Sequence, residues 1–127
     1  MKRLLTLTAI IEAFTGLALI TMPSVVVRLL LGSLLDTSAA VTLGRVAGVA
    51  LLALGVAYWL ARDDTQSRPA RGLVAAMLLY NVGTVAVLTF AGIGLGLHGI
   101  ALWPAVILHA VMAVWCIACL RRSPQTP

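Results

Sequence analysis

Four long apolar stretches follow one another along the chain, at about residues 4–22, 39–61, 72–92 and 100–120, and the segments between them hold most of the charged residues. None alternates polar and apolar positions as a strand does. Each approaches or reaches the ~17–25 residues that a helix needs to cross a hydrocarbon layer about 30 Å thick. Lipid requires every backbone polar group to be paired within its own segment or in a closed barrel. The pattern therefore predicts an all-α protein, a four-transmembrane-helix bundle. Between the first two stretches, residues 23–35 are mostly apolar but include Arg28 and Gly32 and open on Pro23. Proline fits the first turn of a helix, so this segment reads as a short interfacial helix with Arg28 reaching toward lipid headgroups. The alternative is a first span that kinks at Pro23 and runs on to Leu31. Asp36, Thr37 and Ser38 then supply a polar turn and an N-cap for the second span.

A chain of 127 residues that is 61% hydrophobic and 10% charged cannot hide its apolar side chains inside a water-soluble globule. The bilayer is the first partner it requires. A net charge of +5 would point to nucleic acid in a soluble protein. Here the basic residues flank the spans: Lys2 and Arg3 precede the first, Arg62, Arg68 and Arg71 lie between the second and third, and Arg121 and Arg122 follow the fourth. The two opposite connections hold only Arg28. No nucleic-acid partner is expected, and the positive-inside rule places both termini in the cytoplasm of a multi-pass protein of a bacterial inner membrane. Lys2-Arg3 before an apolar run also has the look of a cleavable leader. Glu12 inside the run, the run's length and the lack of a small-x-small site before Pro23 favour a retained span. One domain, 1–122, with a disordered tail over 123–127, completes the expected layout.

Small residues mark where helices meet. Gly44, Gly48 and Gly55 fall on one face of the second span, and Gly72, Ala76 and Gly83 repeat the device on the third. Tyr58 and Trp59 read as interfacial aromatics, and Trp103-Pro104 as the opening of the fourth span. Gly92, Gly94, Gly96 and Gly99 predict a flexible connection. It is not a phosphate-binding loop, because no strand precedes it and no Lys-Ser/Thr follows.

The residues that carry chemistry are those that do not belong in lipid. Glu12, Arg45, Asn81 and His109 lie one on each span, Glu12 and Asn81 roughly 12–14 Å deep. Such groups face the bundle interior and pair with one another, because a charge at the bilayer centre costs at least about 2.5–3.5 kcal/mol. Glu12 with Arg45 is the natural ion pair, with Asn81 and His109 completing its hydrogen bonds. Thr8 and Thr15 share the face of Glu12. The candidate ligand-binding set is Glu12, Arg45, Asn81, His109, Tyr80, Thr15 and Trp103.

Four readings follow. The cluster binds a small lipophilic or amphipathic molecule with a polar end. Alternatively it locks the helices of a structural or accessory subunit, whose glycine faces dock onto a second copy or a larger membrane complex. A third reading is proton-coupled transport through Glu12, and a fourth is chemistry with His109 as acid or base. Cys116 and Cys119 form a C-x-x-C pair, but a thiol oxidoreductase of this size needs a second pair, and the motif sits at a helix C-terminus. No metal, haem or other cofactor is expected, since His98 and His109 are about 16 Å apart along a helix and nothing else offers a ligand cluster.

The strings Glu12-Ala13-Phe14-Thr15-Gly16-Leu17-Ala18-Leu19, Pro23-Ser24 with Leu29-Leu30-Leu31-Gly32, Arg45-Val46-Ala47-Gly48, Tyr80-Asn81, and Trp103-Pro104-Ala105 with Leu108-His109-Ala110 resemble a family of uncharacterised bacterial four-helix membrane proteins. They are loosely similar to DoxX-like proteins. The resemblance spans about residues 4–115. It implies a four-helix membrane fold in which Glu12, Arg45, Asn81 and His109 belong to the family pattern, and it implies no particular activity. Small multidrug transporters also carry a first-span Glu, but the rest of the chain departs from their pattern.

Overall fold

The computed structural model describes residues 1–64 and 67–122. Five helices follow in order: α1 (Lys2–Thr21), α2 (Pro23–Leu31), α3 (Ser38–Ala61), α4 (Arg68–Ile93) and α5 (Leu102–Arg122). Among the described residues there is no strand, and α1, α3, α4 and α5 are each long and apolar enough to cross a membrane. The chain is thus a multi-pass membrane protein with a short helix between its first two spans. The expected tail, from Ser123 onward, lies outside the described residues.

Local chemistry sets the boundaries. Met22 (φ −135°, ψ 57°) breaks the helix, so α1 does not run on to Leu31, and Pro23 opens α2 at a position that needs no N–H donor. Gly32 (φ 70°) closes α2, its N–H donating to the Arg28 carbonyl. Thr37 caps α3, its hydroxyl accepting from the Ala40 N–H at 3.1 Å. Ser67 does the same for α4 through Ala70 at 3.2 Å, with Pro69 in the first turn. That cap starts α4 a turn earlier than hydropathy alone places it, because the arginine-rich turn 68–71 is helical but not apolar.

The spans associate as two close pairs, α1 with α3 and α4 with α5. Glycine makes the first pair possible. A Cβ at Gly16 would stand 2.6 Å from the Leu52 nitrogen and 2.7 Å from the Gly48 carbonyl oxygen, and one at Gly55 would stand 3.0 Å from the Ala9 oxygen. The two backbones therefore touch along the seam, the contact that drives association where lipid and core are equally apolar. The glycine face of the second span is covered within the chain, Gly48 and Gly55 by α1 and Gly44 by Pro23 and Leu35. On α4, by contrast, Gly72 and Gly83 meet nothing within 4 Å.

The two pairs meet over an apolar core at the end of the bundle that holds the termini. Leu4, Leu5 and Ala9 of α1, Tyr58 of α3, Val74 and Met77 of α4, and Met112 and Cys116 of α5 form one buried cluster. Lys2 Nζ reaches Asp63 at 2.6 Å, so the N-terminus and the α3–α4 connection share that end. At the opposite end the 94–101 connection is docked, not free as its glycines predicted. The Ala101 N–H donates to the Leu29 carbonyl at 2.9 Å, and Gly99 lies against the backbone of Leu29 and Leu30.

Candidate functional site

Three helices lift one polar residue each to the same height above the apolar core. Leu5, Val74 and Cys116 are 0% exposed in that core. Glu12 lies seven residues beyond Leu5, Asn81 seven beyond Val74, and His109 seven before Cys116 on a helix that runs the other way. Two turns, about 10.5 Å, therefore separate the core layer from the polar layer on each helix. Glu12 and Asn81 are 4% and 2% exposed, and His109 is half-buried.

Asn81 is held from two sides. Its Nδ2 donates to the Met77 carbonyl at 2.8 Å, and its Oδ1 lies 2.8 Å from His109 Nδ1. The first bond fixes which way the amide points, since a flipped amide would set oxygen against oxygen. Asn81 Oδ1 can only accept, so His109 carries its proton on Nδ1 and donates it there. In the neutral ring Nε2 is then an acceptor. Tyr80 packs edge-on against the same imidazole, with ring centroids 5.6 Å apart and planes at 77°. Below this layer, Thr8 is buried and donates to the Met77 thioether at 3.5 Å.

Glu12 is different. Among the described residues its carboxyl makes no hydrogen bond and no ion pair, although the phenols of Tyr58 and Tyr80 lie within its electrostatic reach. The expected Glu12–Arg45 ion pair is absent among these residues, and Arg45 is exposed. The physical reason is the seam: α3 turns Gly48 and Gly55 toward α1, and Arg45, three residues before Gly48, falls about 60° away from that line on a helix. The site is therefore built from Glu12, Asn81, His109 and Tyr80, with Thr15 half-buried one turn above Glu12. Trp103 stands apart. It is 45% exposed and packs its ring against Gly92, about 16 Å along α4 from Asn81.

Tyr58, expected at the interface, is instead 1% exposed within the core, while its neighbour Trp59 is exposed with the Arg62 guanidinium 4.0 Å above its ring. The sequence carried a signal for this: Tyr58 continues the Gly48, Gly55 face at helical spacing, which is the face that packs. Cys116 and Cys119 are not joined in a disulfide, and Cys116 is buried. His98 lies in the exposed connection before α5, away from His109.

In the polar layer a carboxyl and an imidazole nitrogen, both able to accept hydrogen bonds, stand within an apolar bundle, with Tyr80 edge-on to the imidazole. No protein family, curated protein or solved structure matches the chain.

Proposed function

We propose that this membrane protein binds a small amphipathic molecule whose polar end donates hydrogen bonds to Glu12 and His109, while its apolar part lies among the helices. The observation that carries the reading is Glu12, 4% exposed and without a hydrogen-bond or ion-pair partner among the described residues. Among the described residues no side-chain oxygen or nitrogen is both fully buried and unpaired, so the Glu12 oxygens keep a small opening, through which a donor from outside the chain can reach a carboxyl that the bundle otherwise desolvates. Asn81 supports the site by fixing the tautomer of His109, which leaves Nε2 as the second acceptor. In this reading the protein sits in a bacterial inner membrane with both termini cytoplasmic, in keeping with Lys2, Arg3, Arg62, Arg68, Arg71, Arg121 and Arg122 at one end. The resemblance to DoxX-like proteins accords with the four-span arrangement and contributes no ligand.

Native mass spectrometry of the protein extracted gently from its own membrane tests this, comparing wild type with Glu12→Gln. A small adduct on the wild type, lost from a variant of unchanged helicity and oligomeric state, is the expected result. Wild type without an adduct, together with a variant that dissociates or unfolds, assigns the polar layer to architecture and overturns the proposal.

A further inference from the structure

We infer that the cleft between α2 and the 94–101 connection, at the end of the bundle opposite the termini, binds the phosphate of a membrane phospholipid. The cleft is an open space of about 510 Å³ lined on one wall by Val25, Arg28 and Leu29 of α2 and on the other by His98 and Ile100. It is remote from the Glu12 layer, and the inference does not depend on that site.

Charge identifies the ligand. In residues 23–37 and 94–101 together, the charged side chains are Arg28 and Asp36, and only Arg28 lines the cleft. Among the described residues Arg28 and His98 make no side-chain hydrogen bond or ion pair. The guanidinium offers a planar fork of donors that matches a phosphate, and the imidazole adds an N–H in either tautomer. The remaining wall selects the source of that phosphate. Val25, Leu29 and Ile100 are 51%, 45% and 82% exposed, an apolar surface placed where the spans leave the hydrocarbon. A free phosphate ion gains nothing from it, whereas the upper part of an acyl chain covers it.

The walls are held together before any ligand arrives. Gly32, in the left-handed conformation, has no room for a side chain, since a Cβ there would lie 2.9 Å from the His98 carbonyl. Gly99 lies directly against the backbone of Leu29 and Leu30, and the Ala101-to-Leu29 hydrogen bond closes the contact. Arg28 and His98 are thereby fixed on facing sides of one opening, which lowers the ordering cost of binding.

The experiment titrates delipidated protein in detergent with dioleoylphosphatidylglycerol, dioleoylglycerol or inorganic phosphate and counts adducts by native mass spectrometry. Wild type is expected to bind the phospholipid and neither of the other two. Arg28→Gln should weaken that binding about tenfold, the loss of one charge-assisted contact. Arg28→Lys should restore part of it. Arg3→Gln, the same charge change at the other end, should leave it unchanged. The Arg28 side chain makes no hydrogen bond or ion pair within the described chain, so these variants should keep wild-type helicity. Equal loss in Arg28→Gln and Arg3→Gln would reduce the effect to net charge, dioleoylglycerol binding as well as the phospholipid would reduce it to the apolar wall, and tight binding of inorganic phosphate would reassign the source. Any of these overturns the inference.

Discussion

Substituting Gly16 by alanine should loosen the α1–α3 pair, while the same change at Gly83 should not. The added Cβ at Gly16 would stand 2.6 Å from the backbone nitrogen of Leu52, against an ordinary contact of at least 3.4 Å, so the helices must part by roughly 0.8 Å. Both obstructing atoms belong to the α3 backbone, which has no rotamer to change. Overpacking of this kind costs about 1–3 kcal/mol. Replacing a helical glycine by alanine returns up to about 1 kcal/mol. Because the obstructing atoms are backbone, the upper part of the overpacking range applies, and the expected net loss for Gly16→Ala is about 1–2 kcal/mol. At Gly83 nothing lies within 4 Å, the steric cost vanishes, and Gly83→Ala should be neutral or stabilising by up to about 1 kcal/mol. Gly48→Ala, whose Cβ would meet the Gly16 carbonyl at 2.7 Å, should lose about as much as Gly16→Ala. The double variant should lose less than the sum, because the helices have already parted. Reversible unfolding in mixed dodecyl sulfate and mild-detergent micelles, followed by far-UV circular dichroism, measures each difference. A Gly16→Ala variant as stable as wild type, or a Gly83→Ala variant that loses as much, would refute the account of the seam.

Three further outcomes follow from the same geometry. Asn81→Ala removes the acceptor of His109 and should cost about 1–3 kcal/mol, with the Nδ1 proton resonance of His109 shifting or disappearing in NMR spectra. Thr37→Ala removes the cap of α3 and should cost about 0.5–2 kcal/mol, with faster amide exchange confined to the first turn of that helix. A hydrogen bond from Lys2, with the charges of Lys2 and Arg62 adding to it, holds the Asp63 carboxyl below its ordinary value. The folded value is the lower one, so the tie is present above the unfolded value of about 3.9 and is lost as pH falls through the folded value. In Lys2→Met the Asp63 midpoint, read by carboxyl NMR, should move up, and an unmoved midpoint would show that Lys2 does not set it.

Hydropathy is a sum over local residues, and what depends on such sums was legible in the chain. The four spans, the break at Pro23 and the cap at Thr37 each rest on a few neighbouring side chains. The depths of Glu12, Asn81 and His109 could likewise be counted, because rise per residue is constant. Which way each helix faces could not be counted. In a lipid-bound bundle the core and the solvent are equally apolar, so a helix that is hydrophobic all round carries no sidedness in its pattern. The glycines mark a packing face on α3 that Tyr58 continues; that this face meets α1 at Gly16, and so leaves Arg45 outside, was decided only by the packing of backbone against backbone. That rotation separates the expected ion pair and leaves Glu12 without a partner among the described residues. The 94–101 connection shows the same limit: its glycines read as freedom, yet at Gly99 the missing side chain is what lets the connection lie against α2. Steric complementarity between segments distant in sequence is a property of the assembled bundle, and the tertiary structure alone decided it.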